Sequence, residues 1–228
     1  MLRLLNPTHW PLPGGCWICR DWGRDRLCTA CRERFAPPVL RCPACALALQ
    51  GPHCAPCLRE PMPLSHVHAA VDYAAPWSTL LHAFKYQRAL GLAPAFAQLL
   101  CRSAQVPTDA LLLPVPLHAQ RLGERGYNQA AVLAEHLAPL VKLPLAPDGL
   151  RRLIDTPTQT QLNRKERLKN LSQAFALAPG FSVQGRHCLL VDDVMTTGAT
   201  LATLATLLLR HGATRVDAWV VARTPAPG

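Results

Sequence analysis

The sequence predicts an α/β body, a mostly parallel sheet flanked by helices, preceded by a small cysteine-rich module. Three observations lead there. Eight cysteines are concentrated before residue 58. Beyond residue 63 strand-like and helix-like runs alternate. Late in the chain an apolar strand delivers two adjacent acids into a threonine- and glycine-containing turn that opens a helix, Val191 to Thr200 (VDDVMTTGAT).

Bulk properties agree with this division. A chain of 228 residues suffices for one ordinary domain with a small appendage. Half the residues are apolar and 17% are charged, which excludes global disorder. The 24 basic and 14 acidic residues leave a net charge of +10. That excess suits polyanionic partners, phosphate-bearing small molecules or nucleic acid, and equally a merely solubilising surface. The opening MLRLLNPTHWPLPGG has only a short apolar patch, broken by Pro7, Pro11 and Pro13, and no run approaches the ~18 apolar residues of a spanning helix. The expectation is a cytoplasmic protein without membrane insertion, whose ten cysteines are not disulfides.

The cysteines form four CxxC pairs: Cys16 and Cys19, Cys28 and Cys31, Cys42 and Cys45, Cys54 and Cys57. The first four recur 26 positions later, an internal C-x2-C-x8-C-x2-C repeat that ends at the linker Glu60 to Pro63. A CxxC knuckle aims two thiolates at one ion, and two knuckles complete a tetrahedral zinc site. With few large apolar residues nearby, metal would supply folding energy. Consecutive sites are favoured by the short gap, and a cross-braced pairing stays open, as does substitution of His53 for a thiolate. Arg20, Arg24, Arg26, Arg32, Arg34 and Arg41 among the knuckles suggest a nucleic-acid contact, diluted by Asp21, Asp25 and Glu33; a pure scaffold is the alternative. The module is assigned to residues 1–62 and the body to residues 63–228.

In the body, His66 to Tyr73 reads as a strand, and Trp77 to Tyr86 and Leu92 to Arg102 as helices. Ala110 to Leu117 reads as a buried strand, and Asn128 to Leu137 as a helix. A polar, basic stretch runs from Arg151 to Asn170. Arg186 to Val191 is a further strand, Thr200 to Arg210 a helix stopped at Gly212, and Arg215 to Val221 a last strand. Such alternation implies a largely parallel sheet covered on both faces. Cys101 and Cys188, in apolar runs, are expected in the core.

Ligands of open α/β sheets collect at the carboxyl ends of strands, where Asp192 and Asp193 would lie. The turn Met195 to Ala199 then opens a helix whose first amides lack internal partners, a cradle for phosphate. Thr196, Thr197 and Thr200 add hydroxyls, and Gly198 permits close approach. The carboxylates suit the vicinal hydroxyls of a ribose, with Mg2+ bridging to pyrophosphate.

This string is similar to the phosphoribosyl-pyrophosphate (PRPP) signature of type I phosphoribosyltransferases. LPVPLHAQRLGERGYNQA resembles the segment after the first core strand in the ComF family, also called GntX-like, of bacterial competence and DNA utilisation. TQTQLNRKERLKNLSQAF resembles that family's flexible loop, and the cysteine repeat its double zinc ribbon. The likeness extends from Cys16 to Arg223. It implies that Asp192 and Asp193 hold the ribose and that Thr196, Thr197, Gly198 and Thr200, in a loop with Met195 and Ala199, hold the 5′-phosphate. It places His118 and Arg121 in a pyrophosphate loop, followed by Arg125, Asn128 and Gln129 of an RGxNQ pattern. Arg164, Arg167 and Asn170 would close over pyrophosphate, and Lys85 and Tyr86 would join a hood over the acceptor. Read without the resemblance, Arg164 to Lys169 is equally a solvated helix face, His118 a surface histidine and Asn128 a helix cap.

The resemblance implies structural Zn2+, Mg2+ with PRPP, and three functional readings. The first in rank is a competence factor acting in DNA uptake and transformation, which binds PRPP or a related nucleotide together with single-stranded DNA and works beside competence-machinery proteins. The second is a phosphoribosyltransferase that releases pyrophosphate, with Asp192, Asp193 and Arg121 as its catalytic residues. The third is a PRPP-sensing regulator, weakened by the lack of an evident helix-turn-helix.

Overall fold

A computed structural model describes residues 14–23, 25–49, 51, 54–154 and 174–225. The chain divides into two compact units, Met1–Pro37 and Pro38–Gly228, so the first four-cysteine repeat lies in the smaller and the second in the larger. His53, Arg24, Arg164, Arg167 and Asn170 lie outside the described residues.

Among the described residues, the smaller unit has a two-stranded ribbon and one helix. β1 (Gly14–Gly15) pairs antiparallel with β2 (Trp22–Gly23), and α1 is Thr29–Phe35. Arg32 on α1 is buried and donates to the Leu27 carbonyl at 2.5 Å and the Thr29 hydroxyl at 2.9 Å. Its guanidinium therefore ties α1 to the segment that leads into it instead of facing solvent.

The larger unit carries α2 (Ala55–Arg59), β3 (His66–Asp72), α3 (Trp77–Tyr86), α4 (Ala93–Ser103), β4 (Ala110–Pro114), α5 (Ala119–Arg125) and α6 (Gln129–Val141). There follow β5 (Leu150–Arg152), β6 (Phe175–Leu177), β7 (His187–Met195), α7 (Ala199–Arg210) and β8 (Arg215–Arg223). The main sheet is wholly parallel in the order β3-β8-β7-β4. Central strands read as continuous apolar runs because both faces are covered, and every residue from Val216 to Arg223 is buried. On one face Val67, Leu111, Leu113, Leu190 and Val220 pack with Leu201, Leu204 and Leu208 of α7. The alternate residues, among them Leu112, Leu189 and Trp219, are buried on the other face, where α4 packs on β8 and α6 on β7.

The second cysteine repeat is part of this core. Cys42, Cys45, Ala46 and Leu47 are buried in the same cluster as Val67, Ala69 and Met195. The knuckle is closed by Cys42 N–H to the Leu47 carbonyl and Ala46 N–H to the Cys42 carbonyl, both at 2.8 Å. Val67 N–H of β3 donates to Pro43 at 2.6 Å, and Arg41 bridges the Ala46 carbonyl (3.1 Å) and the Asp72 carboxylate (2.7 Å).

Several expected elements end elsewhere. β4 stops at Pro114, three residues short of Leu117, and β7 runs on to Met195 and so contains both acids. The short helix α5 and the antiparallel pair β5–β6, which takes up Arg151 and Arg152 from the basic stretch, were not anticipated. Cys188 is buried as expected, whereas Cys101, on α4, is only half-buried. Among the described residues no helix is long and apolar enough to cross a membrane.

Candidate functional site

The carboxyl end of β7 places Asp192 and Asp193 at the sheet edge, and the chain then turns through Thr196 and Thr197 into α7. Gly198 makes that turn possible. Its φ is +82°, and a Cβ there would meet the Met195 and Met62 methyls at 2.4 and 2.7 Å. Thr196, Thr197 and Ala199 are exposed, which leaves the turn into α7 open to solvent beside the acids. The Thr197 hydroxyl accepts from Ala199 N–H at 3.3 Å and Thr200 is half-buried behind it.

The two acids differ. Asp193 is buried and its Oδ2 lies 2.9 Å from Lys85 Nζ on α3. Asp192 is half-buried, and burial, reinforced by the negative Asp193 next to it, holds its carboxyl well above the usual range; Lys85 opposes this only in part. Lys85 itself is raised: burial would lower it, and the Asp193 and Asp192 carboxylates outweigh that. A half-buried carboxyl poorly compensated by protein cations suits an external partner, whether ribose hydroxyls or a hard cation also held by phosphate oxygens.

Lys85 also lines a cavity of about 510 Å3 together with Tyr86, Arg88, Gln120, Arg121, Glu124, Arg125 and Tyr127. Three arginines and a lysine in one concavity beside a helix-capped loop make a site for several phosphate charges. The RGYNQ segment builds its wall. Gly126, at φ +83°, terminates α5 in a left-handed turn. Tyr127 Oη donates to the Phe84 carbonyl of α3, and Asn128 caps α6 by accepting from Ala130 N–H (3.0 Å) while donating to the Val115 carbonyl (3.0 Å). Buried Gln129 accepts from Arg125, whose guanidinium lies over the Tyr86 ring at 5.1 Å. His118 caps α5, its Nδ1 accepting from Gln120 N–H at 3.3 Å. Asn128 and His118 thus have structural roles as caps, and Lys85, Tyr86, Arg121 and Arg125 are brought to one cavity. Arg88, Tyr127, Gln120 and Glu124 were missed by the sequence reading. The signal for Arg88 is weak: it follows Lys85-Tyr86 by two positions and adopts φ +54°, a strained conformation of the kind that clusters at functional sites.

The eight cysteines pair consecutively: Cys16, Cys19, Cys28 and Cys31 in one cluster, Cys42, Cys45, Cys54 and Cys57 in the other, with all Sγ atoms of each within 4.8 Å of one another. This resolves the pairing that the spacing left open. Sulfur separations of 3.7, 3.8 and 3.5 Å (Cys19–Cys28, Cys42–Cys57, Cys45–Cys54) match the roughly 3.8 Å edge of a tetrahedron with ~2.3 Å Zn–S bonds. The thiols also conflict electrostatically without a cation. Burial opposes ionisation of Cys16, yet the amides of Cys28 and Cys19 pull it down to about 6, while burial and the neighbouring thiols push Cys31 up to about 12. The donor sets therefore fit a divalent, thiophilic ion.

Sheet, acids and helix-capped loop define a phosphoribosyltransferase-type domain, and the family model described as phosphoribosyl transferase domain matches residues 128–228. Curated relatives carry the likeness over nearly the whole chain. The DNA utilization protein YhgH of Salmonella typhi is 36% identical over 93% of this chain and 98% of its own. That of Escherichia coli K12 is 35% identical over the same shares, and Competence protein F of Haemophilus influenzae is 32% identical over 91% and 96%. The chain belongs to the ComF family.

Proposed function

We propose that this protein binds PRPP, or a related phosphoribosyl nucleotide, at the β7–α7 loop and acts on single-stranded DNA during DNA uptake. The observation that carries the reading is Lys85, which joins the two halves of one anionic-ligand site: it pairs with Asp193 at the loop and lines the arginine cavity. In this reading Asp192 accepts from the ribose, the α7 amides with Thr197 and Thr200 take the 5′-phosphate, and Arg121, Arg125 and Arg88 face the pyrophosphate. Asp192 together with substrate phosphate oxygens would hold Mg2+, which neutralises pyrophosphate charge when bound. Each cysteine cluster would hold one Zn2+, cross-linking its two knuckles. The names of the YhgH and Competence protein F relatives support the DNA role. So does Trp22 on β2, 81% exposed and close in sequence to the exposed Arg20 and Arg26, a combination that suits base stacking plus phosphate contact. A cytoplasmic location completes the proposal.

Calorimetric titration of PRPP with Mg2+ tests the core of it. Wild type is expected to bind and Asp192→Asn not to; undiminished binding by the variant would refute the assignment. Binding of a labelled oligonucleotide should fall steeply with salt and weaken in Trp22→Ala. The cavity beside the loop also favours a second reading, phosphoribosyl transfer to an acceptor, which pyrophosphate release across a panel of bases and oligonucleotides would reveal.

A further inference from the structure

Arg223 is the last residue of β8, in register with Met195 of β7 and Asp72 of β3. It is one of the few charged residues of the core, 6% exposed. Its Nε donates to the Cys45 carbonyl at 2.8 Å, 178 residues away in sequence. Its Nη1 donates to the carbonyls of Met195 (3.2 Å), Thr196 and Thr224 (2.7 Å). One buried cation therefore joins the knuckle of the second cysteine cluster to the first two residues of the phosphate loop.

The geometry has a directional consequence. In a trans peptide the C=O and N–H of one plane point in opposite directions. With the carbonyls of Met195 and Thr196 drawn onto Arg223, the amides of Thr196 and Thr197 turn the other way. They thus turn from the core toward the exposed side of the loop, where they can meet an anion. Two further contacts tie the same parts together. Met62, just past the second cluster, packs where a Cβ on Gly198 would sit, and Met195 shares its core cluster with Cys42 and Cys45. A divalent ion on four thiolates would leave that cluster with a net charge near −2 beside the buried guanidinium, which the guanidinium offsets.

We propose that Arg223 is a positioning residue for the phosphate loop, and that through it the loop's geometry depends on the second cysteine cluster. The proposal rests on the reading of the β7–α7 loop as a phosphate site. Full-length wild type, Arg223→Met and Arg223→Lys would be compared by amide NMR shifts, zinc content and PRPP titration. Arg223→Met should shift the amide resonances of residues 196–198 and 45–47 while those of α4 and α6 stay in place, and should weaken PRPP by about 10²-fold, the scale of a misplaced binding group. Arg223→Lys should recover part of both. Coupling between binding free energies is reciprocal, so saturating PRPP should strengthen zinc retention against a competing chelator at equilibrium in wild type and not in Arg223→Met, which a merely structural arginine would not produce. Unchanged amide shifts at 196–198 in Arg223→Met would overturn the proposal. So would zinc removal that leaves those shifts where they were. If wild type fails to bind PRPP, the ligand reading falls, and the two shift comparisons still decide the coupling. If Arg223→Met does not fold, as judged by circular dichroism, the same comparisons are made on Arg223→Lys.

Discussion

Replacing Lys85 by Met should destabilise the larger unit more than its half-buried, ligand-facing position suggests. The Lys85 Nζ lies 2.9 Å from an Asp193 carboxylate whose side chain is 2% exposed, while Lys85 itself retains 23% exposure. Removing one partner of a buried pair typically costs about 3–5 kcal/mol, because the other charge stays buried and uncompensated. The partial access of Lys85 to water places the cost at the lower end, ~3 kcal/mol. For a unit of this size each kcal/mol moves Tm by roughly 2–4 °C, so a drop of about 6–12 °C is expected in scanning calorimetry. The pair is asymmetric: Asp193→Asn leaves a lysine that can still reach solvent, and should cost less. The double variant Lys85→Met with Asp193→Asn buries no lone charge and should be more stable than Lys85→Met alone. A Lys85→Met protein within about 1 kcal/mol of wild type, or a double variant no better than it, would refute the electrostatic account.

Asp192→Asn should raise stability at neutral pH while abolishing PRPP binding. A carboxyl held above its ordinary value of 3.8 contributes stability that is complete below that value and is lost as pH rises through the native value; the variant's advantage should vanish in acid, which thermal melts across pH would check. His68 has the opposite linkage. Burial first, then the positive charges of His66 and Arg41, lower it from 6.5 to about 4. Stability should therefore fall as pH drops from about 6.5 to about 4, and His68→Gln should flatten that part of the melting curve. Gly198→Ala should cost roughly 1–2 kcal/mol, chiefly from φ +82° since the methionine methyls can shift, and weaken PRPP in titration; an unaffected melting temperature would count against the left-handed turn.

The parts of the site that the sequence carried were those whose chemistry is local. VDDVMTTGAT announces strand, acids, turn and helix within ten residues, and the structure keeps that sequence of features with the acids inside the strand, before its end at Met195. CxxC spacing is likewise local and identified the ligands, whereas their consecutive pairing depends on how each chain segment folds back. Lys85 was legible as a site residue, but not its ion pair with Asp193, because nothing in either neighbourhood encodes a contact between a helix and a central strand so distant in sequence. Asn128 was ambiguous for a physical reason: the amide that suits ligand binding equally caps α6 and ties it to Val115. The three-residue strands β5 and β6 are too short for any period to register, and Arg223 lies two residues past the expected end of the last strand, with nothing in the sequence to announce its four carbonyl partners.

The strand order β3-β8-β7-β4 sets a schedule for synthesis. β3 leaves the ribosome about 140 residues ahead of β8, which at roughly 5–20 residues per second is a delay on the order of 7–30 s. Until β8 is made, β3 lacks its partner in the main sheet and β7 lacks one of its two. The apolar edges of both wait open, at the stage when nascent chains are most prone to misassociate. The same late segment brings Arg223, so the knuckle and the phosphate loop are joined only when the sheet closes.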